Sequence, residues 1–89
     1  MKAVVTVIGK DSVGIIADVS MECAKHKVNI VDITQSVLQD YFAMIMLVEI
    51  DKMETNFSVF QGELSKLGEE KGLDIRVMHE DIFNSMHRI

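Results

Sequence analysis

The chain has 89 residues, of which 48% are hydrophobic, and a formal net charge of −5. This length suits one small domain, and the acidic balance disfavours nucleic-acid binding, which requires clustered Lys and Arg. The longest apolar run, Tyr41 to Val48, is too short to span a membrane, and Asp11 interrupts any signal-peptide apolar segment. We therefore expect one cytoplasmic domain over residues 1–89, with no linker and no internal disulfide, since Cys23 is the single cysteine.

The first two elements are predicted to be a buried strand and an amphipathic helix. Residues Lys2 to Ile8 are β-branched and apolar on both faces, which is typical of a central strand. From Gly14 the apolar period becomes helical, so we expect a helix over roughly residues 13–26. Asp11 or Ser12 could cap its N-terminus, because a short side-chain oxygen accepts one of the unpaired N–H groups.

A half-polar strand and an apolar strand are predicted next, joined by a turn at Gln39-Asp40. Residues 29–39 form the first of these strands, which belongs at or near a sheet edge because one face is polar. One face is predicted to carry Val31, Ile33 and Val37. The other face is predicted to carry Asp32, Thr34 and Ser36. Residues 42–50 form the second, an apolar strand suited to the sheet interior.

The last third of the chain predicts a helix, a strand and a short terminal helix. The helix begins near residues 54–56 and ends at Gly72, and residues 73–78 then alternate as a strand with one solvated face. The tail places Ile82, Phe83 and Met86 on one side of a short helix. The order βαββαβ predicts an α+β, ferredoxin-like fold, with a four-stranded antiparallel sheet and both main helices on one face.

The sequence lacks the residues that three other functions of this fold require. The first loop has Lys10 but no arginine for a phosphatase, strand 1 has no aromatic residue to stack on RNA, and there is no Cys-x-x-Cys pair for a metal carrier. His26 is expected to end the first helix, and Cys23 to be a small core residue. The cluster His79, Glu80, Asp81 and His87 is interpreted as a solvated strand end and helix start. We expect no enzyme activity, no metal and no cofactor.

The segment GKDSVG, residues 9–14, has two interpretations. Backbone N–H groups at a helix start, together with the helix dipole, favour an anion such as a carboxylate. A strand-to-helix turn that needs glycine only for its conformation would leave the same pattern.

The segment from Val5 to Val37 resembles the opening of an ACT domain, the regulatory module found on aspartate kinase, chorismate mutase and prephenate dehydrogenase. The matching pattern is a strand ending in Gly9, then Asp11-x-x-Gly14-Ile15, then Val28-Asn29-Ile30. The resemblance covers residues 3 to about 79, leaving residues 80–89 as a helical extension. The resemblance is close to small stand-alone bacterial ACT proteins, which resemble the ACT repeats of the glycine cleavage system transcriptional repressor.

The resemblance implies a homodimer that binds an amino acid between two subunits and modulates a separate protein partner. Residues of the first loop and the start of strand 2 would contact the ligand: Lys10, Asp11, Ser12, Val13, Gly14, Ile15, Asn29 and Ile30. The alternative is a dimerisation or protein-interaction module that regulates an enzyme or transcription factor without any ligand.

Overall fold

The predicted order of elements is found in the computed structural model, which describes residues 1–86. The last three residues of the predicted extension, His87 among them, lie outside this range. The elements are β1 (Lys2–Lys10), α1 (Ile15–Lys25), β2 (Asn29–Leu38), β3 (Tyr41–Glu49), α2 (Phe57–Lys71), β4 (Leu73–His79) and α3 (Glu80–Met86).

The four strands form one sheet in the order β2-β3-β1-β4, with every neighbouring pair antiparallel. This confirms the ferredoxin-like prediction and the central position of β1. Ala3, Val5 and Val7 are fully buried on the face that α1 and α2 cover, and Val4 is buried on the other face. On that second face Val4 is buried near the start of β1, whereas Ile8 near its end is 55% exposed.

The core lies between the sheet and the two long helices. β3 contributes every second side chain to it, and so does β4, which contributes Leu73, Ile75 and Val77. From the helices come Val19, Cys23, Phe60 and Leu64, among others. Cys23 is the small core residue that the sequence predicts, and burial raises the pKa of its thiol to about 11.

One extra residue in β2 changes which side chains face the helices. Ile30 pairs with Val48 and Asp32 pairs with Leu47, so Val31 is a β-bulge without a counterpart on β3. The bulge interrupts strict alternation, because Ile30 and Ile33, three positions apart, both lie opposite core residues of β3. The bulge leaves the helix-facing side of β2 with these residues: Ile30, Ile33, Gln35 and Val37.

The short helix α3 packs on the open face of its own sheet, against β1 and β4. Phe83 and Met86 line a cavity of about 460 Å³ there, together with sheet residues such as Ile8 and Met78. Ile82 lines a neighbouring hollow, together with residues that include Met1 and His79. Within residues 1–86 no helix is long and apolar enough to cross a membrane.

Two glycines of α2 provide a matched test of helix-to-sheet packing. A Cβ on Gly68 would lie 2.6 Å from the Leu73 carbonyl oxygen and 3.2 Å from Ile75 Cγ1, whereas one on Gly62 meets nothing within 4 Å. We expect Gly68→Ala to lower the free energy of unfolding by about 1–3 kcal/mol, because β4 must move. Gly62→Ala should raise it by about 0.5–1 kcal/mol through helix propensity. Urea denaturation measures both, and equal effects would contradict the close packing.

Candidate ligand site at the loop after β1

The loop of residues 11–14 joins the end of β1 to the start of α1. The backbone N–H of Asp11 donates to the carbonyl oxygen of Asp40 at 2.7 Å, which ties the loop to the β2–β3 turn. That turn lies at Gln39-Asp40, as the sequence predicts. The hydrogen bond holds the two turns together at one end of the sheet.

Helix α1 begins after a glycine in the left-handed conformation, and no side chain caps it. Gly14 occupies the N-cap position with φ 88° and ψ 6°, in the left-handed region, and its carbonyl accepts the N–H of Asp18 at 2.9 Å. The prediction that Asp11 or Ser12 caps the helix is therefore wrong. The helix begins at Ile15 because glycine adopts this conformation without the steric cost of a Cβ, and a capping residue uses extended backbone instead.

The N–H groups of the first turn of α1 have no partner within the helix, as at every α-helix start. They carry partial positive charge, which the helix dipole increases. Asp18, in the same turn, is paired with Lys71 Nζ at 3.3 Å, so its negative charge is partly offset next to this helix start. This end of α1 therefore favours an approaching anion.

A cavity of about 270 Å³ lies between this helix start and the edge of the sheet. Its polar groups come from Asp11, Ser12, Gln35 and the backbone of Gly14, and its apolar wall includes Phe42. The full lining is Asp11, Ser12, Gly14, Ile15, Ile16, Ala17, Gln35, Val37 and Phe42. A carboxylate, a hydroxyl, an amide and free N–H groups beside an apolar wall suit a small ligand with both charged and apolar parts.

The structure brings four of the eight predicted site residues to this cavity: Asp11, Ser12, Gly14 and Ile15. Lys10 and Val13 are exposed neighbours in the chain that do not line it. The loop therefore presents two polar side chains and its backbone, while Val13 points into solvent.

The other two predicted residues lie at the opposite end of β2. Asn29 pairs with Glu49, whereas Leu38, beside the loop, pairs with Tyr41. Ten residues of strand span roughly 30 Å, so Asn29 cannot reach the cavity of its own chain. Asn29 lines a separate hollow of about 430 Å³, and Ile30 is half-buried against the core.

Gln35, Val37 and Phe42 are lining residues that the sequence analysis did not identify. The available signal was Gln35, a polar side chain that interrupts the apolar face between Ile33 and Val37. The structure therefore places the amide of Gln35, rather than that of Asn29, beside the loop of the same chain.

Comparison with known proteins gives consistent results. A family model described as "ACT domain" matches residues 2–78. A UPF0237 protein from Methanopyrus kandleri is 49% identical over 88 residues, covering 99% of this chain and 98% of the relative. The solved structure of an ACT domain protein from Streptococcus pneumoniae superposes with a TM-score of 0.80 at 38% identity, covering 93% of each chain.

A structure described as a glycine cleavage system transcriptional repressor is also similar, with a TM-score of 0.75. The match covers 85% of this chain and 43% of that one, at 24% identity, and shows the shared fold alone.

The left-handed start of α1 predicts a specific order of stability among variants. Gly14→Ala should lower the free energy of unfolding by about 1–2 kcal/mol, because a Cβ is strained at this φ. Gly14→Asn should cost less, since asparagine tolerates the left-handed region. Ser12→Ala should stay within about 0.5 kcal/mol of the wild type, because Ser12 is not a cap. Chemical denaturation measures all three, and a large loss for Ser12→Ala would restore its capping role.

Proposed function

The chain belongs to the ACT domain family, and from that premise we propose that it is a regulatory domain which binds an amino acid between two copies of itself. The ACT domain is a regulatory, ligand-binding fold. The observation that carries the proposal is the cavity where the free N–H groups of α1 meet Asp11 and Ser12. A ligand carboxylate would accept hydrogen bonds from these N–H groups, and its ammonium group would pair with Asp11.

The exposed edge of β2 supports assembly with a second copy. β2 pairs with β3 on one side only, and its apolar side chains are exposed: Val31 at 49%, Val37 at 51% and Leu38 at 76%. Unpaired strand edges readily add another strand unless charge, proline or covering elements prevent it. Antiparallel addition of the same strand from a second copy would extend the sheet across a two-fold axis.

Such pairing would also account for the separation of Asn29 from the loop. In an antiparallel pair of β2 strands, the start of one strand lies next to the end of the other. Asn29 of the second copy would then lie near Val37 and Leu38 of the first, at the end where the loop lies. The eight predicted site residues would thus be divided between two chains.

A ligand held by both copies would regulate by linkage. Binding would favour one dimer arrangement, and a separate protein partner that prefers the same arrangement would bind more tightly by an equal factor. The side chains lining the cavity suit recognition by hydrogen bonds and charge. We therefore propose a regulatory rather than a catalytic role.

Thermal unfolding with each amino acid at millimolar concentration tests the ligand. A ligand at 100 times its dissociation constant should stabilise the protein by about 2.7 kcal/mol, which raises the Tm of a domain this small by several degrees. We expect Asp11→Asn and Gln35→Ala to reduce the shift, and Glu54→Gln, an exposed change far from the loop in sequence, to leave it unchanged. The absence of a shift with every amino acid would favour the ligand-independent interaction module.

Light scattering at tens of micromolar tests the dimer. We expect the mass of two chains for the wild type and a dimer at least tenfold weaker for Val31→Lys, because a charge on the edge opposes strand addition. Val59→Lys places the same charge on an exposed position of α2 and should leave the mass unchanged. A monomeric wild type would overturn the proposed interface.

A further inference from the structure

A buried imidazole with one unsatisfied nitrogen lies at the C-terminal end of α1. His26 is 5% exposed, and its Nδ1 is 2.9 Å from Thr55 Oγ1. Its ring packs edge-on against Phe60, with ring centroids 5.4 Å apart. Nε2 of His26 and Oε2 of Glu22 are both buried and have no hydrogen-bond partner among the residues that the structure describes. Buried polar atoms of this kind are rare and require an explanation.

Two carboxylates face this nitrogen from different helices. Nε2 of His26 lies 3.8 Å from Oε2 of Glu22, one turn earlier on α1, and 3.9 Å from Oε2 of Glu63 on α2. Both distances are too long for direct hydrogen bonds. One donor atom from each residue lies within 4.8 Å of the other two. The arrangement leaves room for a small cation among three potential ligand atoms.

We propose that Glu22, His26 and Glu63 form a binding site for a divalent transition-metal ion of the Zn²⁺ class. Zinc binds imidazole nitrogen and carboxylate oxygen at about 2.0–2.2 Å, so modest movements of the two glutamate side chains would complete the bonds. Mg²⁺ and Ca²⁺ prefer all-oxygen sites, and the imidazole therefore selects against them. Three protein ligands leave a further coordination position for water.

The surroundings of His26 favour this role. When Nδ1–H donates to Thr55 Oγ1, the lone pair of the ring is on Nε2, directed at the two carboxylates. A hydrogen bond from the second ring nitrogen is the usual way in which a metal-binding histidine is oriented. His26 also follows the last turn of α1, where the helix dipole attracts positive charge.

Lys25 is the group that metal binding would displace. Its Nζ donates to Oε2 of Glu63 at 3.3 Å, and both side chains are exposed. An exposed ion pair of this kind contributes little to stability, so a metal ion competes with it easily. The bound ion would replace one weak link between α1 and α2 with a coordinated link between the same helices.

This site is separate from the proposed amino-acid site. The 11 residues of α1 span roughly 16 Å, with the metal ligands at its C-terminal end and the loop of residues 11–14 at its N-terminal end. Failure of either proposal therefore leaves the other testable.

Isothermal titration of the full chain with ZnCl₂ tests the inference. We expect one Zn²⁺ per chain, affinity at least tenfold weaker in Glu63→Gln and Glu22→Gln, and no comparable binding of Mg²⁺. Glu69→Gln, an exposed change on the same helix α2, should bind as the wild type does. Lys25→Ala should bind Zn²⁺ as tightly as the wild type or more tightly. It removes the ammonium group that competes with the metal for Glu63, and it leaves the Glu63 carboxylate in place.

Two further measurements separate this site from other metal binding. A His79→Gln, His87→Gln double variant should retain the Zn²⁺ affinity, since the proposal assigns the metal to Glu22, His26 and Glu63. Zn²⁺ should raise the Tm of the wild type and not that of Glu63→Gln, whose Tm without metal should stay close to the wild-type value. The absence of saturable Zn²⁺ binding, unchanged binding by Glu63→Gln, loss of binding in the double variant, or equal binding of Mg²⁺ would each overturn the proposal.

Discussion

Burial of one apolar face of the sheet by α1 and α2 is the constraint on which the rest of the molecule depends. Val5 and Val7 on β1 are fully buried against the helix layer, as are Met44 and Met46 on β3. Removal of this surface from water is the main favourable term for a domain of this size. β2 is the strand least protected by this packing, since it pairs with β3 alone and nearly all of its residues are exposed. The edge of β2 is consequently available to a partner.

The two ends of α1 have opposite electrostatic character, and the two proposed sites use it in opposite ways. At the N-terminal end, free N–H groups face a cavity that suits a carboxylate. At the C-terminal end, His26 and two carboxylates surround a space that suits a cation. A rigid helix held by core packing at Val19 and Cys23 keeps both ends in fixed positions. The same packing that stabilises the fold thus orients both sites.

The regular elements could be predicted because their patterns are local. The central strand β1, the alternating strand β4 and the glycine that ends α2 follow from periods and turn residues a few positions apart. Errors occurred where a local pattern had two solutions. Asp11 and Ser12 are residue types that often cap helices, but Gly14, in the left-handed conformation, is the N-cap, and the helix begins at Ile15. The bulge at Val31 requires no distinctive residue type, so the sequence carried no signal for it.

By itself, the sequence determined the fold class, the order of elements and the loop of residues 9–14 as the place to examine. These features follow from residue spacing within single elements, which is present in the sequence before any tertiary contact forms. Only the tertiary structure decided which distant residues meet. In the folded chain Gln35 lies beside the loop, and Asn29 lies at the far end of β2. Glu63 lies close to His26. Such contacts depend on strand register and helix packing, which arise from many weak interactions across the whole domain rather than from any local pattern.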